Sequence, residues 1–189
     1  MEKLTKDILK YLGNNHTKVE QKQNFKGNYY SNITDTIYIA KSFSQSKLPK
    51  GMNNIDKRVA ELIVICHECI HSIQNKRLHI LNTVLSNVGM ILTMVCIIIG
   101  FFDIIPIWLK LLSCLCLSLA IAVRLTLEID AISRSTKVAK SFIENEAHLQ
   151  FNKEDILLCE NYIKKHKAIA LTQMIIDKFI ALIVICIIK

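Results

Sequence analysis

Two apolar stretches, Ile80–Phe102 and Ile107–Leu127, restrict what this chain can fold into more than any other feature. Each is long enough to match the roughly 30 Å hydrocarbon core of a bilayer, which takes about 20 residues of helix. Val88–Phe102 carries no charge. In the second stretch, Trp108 and Lys110 suit one interface and Arg124 the other. The uncharged segment between them is short for a full span, so either snorkelling of the two cations extends it or protein partly shields the helix. The chain is 51% hydrophobic, with mean hydropathy +0.32, yet 21% of it is charged. Such a balance predicts membrane segments joined to polar ones, because the apolar residues are concentrated instead of spread evenly. A third stretch, Ile169–Ile188, is interrupted by Asp177-Lys178. It reads as a third span or as a tail packed on the other two.

Four regions follow: residues 1–79, polar; 80–127, a transmembrane hairpin joined by a turn at Asp103–Pro106; 128–168, polar and helical in pattern; and 169–189, a C-terminal membrane segment. Net charge is +8, from 24 Lys and Arg against 16 Asp and Glu. Basic residues gather before Ile80 and after Leu127, and the turn has none. The positive-inside rule then predicts a multi-pass cell-membrane protein with both polar regions in the cytosol. Dense basic runs and aromatic–basic interleaving are absent from the sequence, so a lipid membrane is expected as partner and nucleic acid is not. The polar, Lys-rich first thirty residues show no signal peptide. Seven Cys, four of them in apolar runs, suggest small buried hydrophobes, not a disulfide framework.

Within the first region, Leu4, Ile8, Leu9 and Leu12 predict a helix over Met1–Leu12, stopped by Gly13-Asn14-Asn15. Strand-like pieces at Thr17–Phe25 and Thr34–Ala40 flank Lys26-Gly27-Asn28, which predicts a small β-hairpin. Lys47–Asn54, with Pro49 and Gly51, reads as a loop. Asp56 to about Leu78 is the clearest helix, with an apolar stripe of Val59, Leu62, Ile63, Cys66, Cys69, Ile70 and Ile73. The fold class expected is thus mainly α, an integral membrane protein with a small β-element.

That helix contains His67-Glu68-Cys69-Ile70-His71, an H-E-x-x-H string. Residues four apart on a helix lie about 40° from each other, so both imidazoles can reach one metal ion. Glu68 stands beside them, placed to move a proton between a metal-activated water and a leaving amine. With six His and nine Glu in the chain, chance would produce the string in roughly one such chain in a hundred. Cys66 and Cys69 also form a C-x-x-C, but an apolar helical run precedes it, where no helix N-terminus stabilises a thiolate.

A catalytic zinc needs a third protein ligand and one open position. Glu128, Asp130, Glu144, Glu146, His79, His148 and His166 are the candidates. Topology favours Glu128, the first carboxylate after the hairpin returns to the face it left. His71 lies further from the turn than Glu128, so a continuous helix would miss by about 10–15 Å at 1.5 Å per residue. A bend between about Lys76 and Ser86 is therefore expected. Asp130 sits about 200° around the helix from Glu128, so the two cannot both face the metal from a regular helix; an irregular helix would let Asp130 support a ligand histidine. Arg124, one turn before Glu128, suits a pairing with it or an interfacial anchor.

H-E-x-x-H followed by Ser72-Ile73-Gln74, an apolar hairpin, Leu127-Glu128-Ile129-Asp130-Ala131 and Arg134 resembles the membrane neutral zinc metallopeptidases of bacteria, over about residues 5–145. Ile70 stands where that family usually has Gly, and Ile132-Ser133 replaces its usual Ser-Arg. The resemblance implies one zinc held by His67, His71 and Glu128, with Glu68 as general base and Asp130, Arg134 and Arg124 as supporting or substrate-facing groups. It implies a peptide or protein substrate. By the same gluzincin logic, Thr36–Ala40 is expected as an edge strand for an extended peptide. Tyr29, Tyr30 or Tyr38 is a candidate donor to a tetrahedral oxyanion. The expected function is a membrane-bound zinc metallopeptidase with its site on the cytosolic side. The rivals are a zinc-binding but inactive membrane adaptor and a metal-free interaction protein.

Overall fold

A computed structural model describes residues 1–22, 27–40, 56–102, 104–145 and 152–188. The order of elements is α1 (Glu2–Tyr11), β1 (Lys18–Lys22), β2 (Tyr29–Ser31), β3 (Thr36–Ala40), α2 (Lys57–Ile73), α3 (Lys76–Phe102), α4 (Ile107–Asn145) and α5 (Lys153–Ile187). The chain is mainly helical with one small sheet. It forms two compact units, Met1–Lys76 with Ile129–Lys167, and Arg77–Glu128 with Ala168–Lys189. Helices α4 and α5 each run through both.

In the first unit, α1 buries Ile8 and Leu9 and ends where Gly13 takes a φ of 73°. Gly13 N–H then bonds Lys10 O at 3.0 Å and Asn14 N–H bonds Leu9 O at 2.8 Å. This pair of bonds caps the last carbonyls of the helix, and glycine adopts the left-handed turn without a Cβ clash. Asp56 caps α2 by accepting the Arg58 N–H at 2.7 Å. The apolar stripe of α2 packs into a core with Ile8, Leu9, Ile37, Ile39, Ala139, Phe142, Ile143, Ile156 and Cys159. Burial pushes the Cys66 thiol up to about 12, and burial, with Cys66 and Glu68 nearby, raises Cys69 well above its ordinary value. Both therefore stay neutral and pack as apolar groups.

The sheet corrects the expected hairpin. Its strand order is β1-β3-β2, with β1 parallel to β3 and β2 antiparallel to it. The hairpin is formed by β2 and β3 around Asp35, whose φ of 49° makes the turn. Aspartate tolerates that region better than most side chains. Thr36–Ala40 is the central strand, not an edge, and all five of its residues are buried. The physical reason lies in composition. Thr-Ile-Tyr-Ile-Ala is apolar enough to be covered on both faces, whereas the charged β1 tolerates an edge. Gly27 and Asn28 do not join two strands directly; Asn28 Oδ1 instead accepts the Ala40 N–H at 2.9 Å. The expected loop at Lys47–Asn54 lies outside the described residues, as do Lys26 and Asp103.

In the second unit, α3 and α4 are the two helices, among the described residues, long and apolar enough to cross a membrane. Only 17% and 28% of their most apolar stretches are buried. A core helix of a soluble protein would be mostly covered. Ile91, Met94, Ile98, Leu111 and Leu115 all lie exposed along them. Close approach occurs at Gly89, where an added Cβ would lie 2.8 Å from the Leu117 side chain and 3.3 Å from its backbone nitrogen. One turn on, Thr93 and Ser113 share a hydrogen bond at 3.2 Å, and both also bond Gly89 O. Small residues with hydroxyl links are the usual means of joining helices in lipid. Residues 169–187 continue α5 as helix, with Ala181 and Ile185 packed against Leu117.

Gly89→Leu is expected to force α3 and α4 apart and to cost about 1–3 kcal/mol, as overpacking of a close contact does. Thermal unfolding in detergent, followed by circular dichroism, should show a lowered midpoint. An unchanged midpoint would rule out the close Gly89–Leu117 contact.

Candidate metal centre

The apolar stripe of α2 fixes the orientation of its other face. His71 is 6% exposed, and His67 is half-buried one turn earlier. Their Nε2 atoms lie 3.1 Å apart, with the rings nearly perpendicular. For zinc–nitrogen bonds of about 2.0–2.1 Å, tetrahedral geometry separates two ligand atoms by about 3.3–3.4 Å. The pair is therefore already spaced to share one ion.

Glu128 sits on α4, where the two units divide at its bond to Ile129. His67, His71 and Glu128 form a group that can hold a metal ion, with one ligand atom from each within 4.8 Å of the others. The Glu128 side chain is 1% exposed and pairs with Arg124 Nη2 at 2.6 Å. Burying a carboxylate is costly unless a cation faces it. Arg124 supplies one such charge. The donor set, two imidazoles and one carboxylate, is that of open zinc sites and leaves a position for water.

Of the other candidate ligands, His79 is buried on α3, Glu144 is exposed and His166 stacks on Tyr162. Glu146 and His148 lie outside the described residues. Asp130 points to a different task. Its Oδ2 accepts from Gln74 Nε2 at 2.8 Å and from Arg134 Nη1 at 3.3 Å. Gln74 Oε1 in turn stands 2.8 Å from His71 Nδ1.

This network assigns a tautomer. Gln74 donates its amide to a carboxylate, so its carbonyl oxygen faces His71. His71 Nδ1 must then carry the proton and donate, which leaves the Nε2 lone pair for a metal. Sequence reasoning assigned Gln74 no role, although its place three residues after His71 on the same helix face was available. Gln74 also ends α2, with a ψ of 165° that breaks the helix before α3 begins at Lys76. The break comes just ahead of the expected bend between Lys76 and Ser86.

Glu68, the expected base, accepts the Tyr30 backbone N–H at 2.7 Å. The Tyr30 hydroxyl donates to Asp35 at 3.0 Å and the Tyr38 hydroxyl lies 3.4 Å from that of Thr34, while the Tyr29 ring stacks on Tyr38. The Tyr30 and Tyr38 hydroxyls are thus engaged elsewhere in this structure. At the end of α2, Ser72 donates to Cys69 O and accepts from Asn14, tying the capped end of α1 to the helix that carries His67 and His71.

Gln74→Leu should weaken the hold of this group on an added metal ion by about 10- to 100-fold, the range usual for loss of a group that orients a ligand histidine. Competition against a chromophoric zinc chelator measures it, and an unchanged affinity would deny Gln74 that role. No protein-family model, no curated protein and no solved structure matches the chain.

Proposed function

We propose that this chain is a membrane-bound zinc metallopeptidase that hydrolyses peptide bonds at the cytosolic face of the cell membrane. The observation that carries the reading is the convergence of His67, His71 and Glu128, with Glu68 next to the first of them on the same helix. Glu128, a buried carboxylate on α4, lies within ligand distance of both histidines, and this supports the reading beyond the H-E-x-x-H string itself.

The roles follow from the donors. His67, His71 and Glu128 would hold the ion. His71 is held in the metal-binding tautomer by Gln74, which Asp130 fixes in turn. Arg124 balances the buried charge of Glu128. Zinc, when bound, polarises a carbonyl and lowers the pKa of its water to about 7. Glu68 would act as the base that accepts a proton from the attacking water and returns it to the departing amine. Helices α3 and α4, with α5 packed on α4, would anchor the site to the membrane, and the charge bias of the polar regions favours the cytosolic side. Donor type favours zinc over harder cations.

Hydrolysis of fluorescently labelled casein by detergent-purified, zinc-loaded protein tests the proposal. Activity should vanish with a zinc chelator and return when zinc is restored. Bound zinc without hydrolysis of any unfolded protein offered would favour the inactive-adaptor reading.

A further inference from the structure

We infer that Tyr30 is the positioning residue for Glu68, delivering from the outer edge of β2 the backbone N–H that orients the general base; this rests on the peptidase reading above. The bond joins residues 38 positions apart at 2.7 Å, short enough for a charge-assisted contact. It exists because β2 is an outer strand. Tyr30 sits opposite Ile37 of β3 on one side, and its N–H is directed to the helix on the other. Proteins ordinarily avoid a bare strand edge; here part of the edge is spent on a carboxylate.

Tyr30 is itself clamped. Its hydroxyl donates to Asp35 Oδ1 at 3.0 Å, and the same oxygen accepts from Thr17 at 3.0 Å. The other Asp35 oxygen is paired with Lys76, two residues beyond Gln74. Burial would raise the Asp35 carboxyl, but hydrogen bonds from Lys76, Thr17 and Tyr30 hold it below its ordinary value. Burial and the bond to Asp35 push the Tyr30 phenol well above its usual range, so it remains the donor. One continuous path thus runs from the first residue of α3 through Asp35 and the Tyr30 ring to the Glu68 carboxylate. It ties the strand that carries the N–H to the chain that leaves the metal-binding helix. A base must be held within about 0.5 Å of its working position. A glutamate with three side-chain torsions needs such a fixed donor.

The direct test replaces the Tyr30 N–H by oxygen, using the α-hydroxy analogue of tyrosine introduced at that codon in the full-length chain. The ring and its bond to Asp35 stay. With labelled casein as probe, kcat should fall about 10- to 100-fold, the usual scale for a misplaced catalytic group. KM and zinc content should hold. Tyr30→Phe keeps the N–H but frees the ring, and should lower kcat by a smaller factor, again without moving KM. Full kcat in the ester variant would overturn the inference, as would loss of kcat together with zinc, which marks a purely structural role.

A second readout needs no activity. With five tyrosines in the chain, selective ¹⁵N labelling gives a sparse spectrum, and Tyr30→Phe assigns its peak. The Tyr30 amide proton should resonate downfield and move upfield in Glu68→Ala. An unmoved peak would overturn the contact. A moved peak in a protein that holds zinc but leaves casein intact would overturn the peptidase reading, and the role of base with it, while the contact stood.

Discussion

Glu68→Gln should abolish hydrolysis and leave the metal where it is. Glutamine keeps the length and shape of the side chain, and its carbonyl oxygen can still accept the Tyr30 N–H that Glu68 Oε2 accepts at 2.7 Å. The helix is undisturbed, because glutamine and glutamate have similar helical propensity. The ability to take and return a proton is lost. General acid–base catalysis contributes about 10²- to 10⁴-fold, so kcat on labelled casein should fall by at least about 100-fold. Zinc content, read by elemental mass spectrometry, should match wild type, since Glu68 is not in the ligand group. The two readouts separate the alternatives. Zinc lost along with activity would mean that Glu68 supports the fold or binds the metal. Activity retained with zinc in place would mean that another group moves the proton.

Much of the helical architecture was legible because it is written in local periodicity and length. The Ile80–Phe102 and Ile107–Leu127 runs correspond to parts of α3 and α4, and the stripe from Val59 to Ile70 marks the buried face of α2. The sheet was not legible. A parallel partner for Lys18–Lys22 requires the chain to pass through a third strand first, and Tyr29–Ser31 is only three residues long, too short to show a period. The candidate site divides along the same line. His67, Glu68 and His71 share one helix, so spacing brings them together. Glu128 came within reach by topology, since a hairpin must return its second arm to the face it left. Tyr30 had no such route: its contribution to Glu68 is a main-chain N–H, which no residue type encodes. Gln74 stood in plain view, but its task depends on Asp130, 56 residues away.

Glu128→Ala should cost the protein its zinc. In wild type we expect close to one zinc per chain. Two histidines alone leave the ion with too few protein ligands for a stable tetrahedral site. The substitution also removes the buried partner of Arg124, which faces Glu128 at 2.6 Å, so part of the response could arise from the stranded guanidinium. Two controls isolate the metal term. Arg124→Gln keeps the carboxylate and should keep zinc. Asp130→Asn, two residues on, loses the charge that receives Gln74 and Arg134 but no ligand; it should keep the stoichiometry and weaken affinity by about 10-fold. Linkage supplies an independent check, because a metal that binds only the folded chain raises its stability. At free zinc near 1,000 times the dissociation constant, the gain is about 4 kcal/mol. Added zinc should therefore raise the unfolding midpoint of wild type and of Asp130→Asn, and leave that of Glu128→Ala almost unmoved. Zinc retained in full by Glu128→Ala would preserve a metal on His67 and His71 but send the third bond elsewhere, to Asp130 first, then to Glu144 or His148. A folded wild type that takes up no zinc when zinc is added would reduce the H-E-x-x-H string to a helix that spells a motif without performing it.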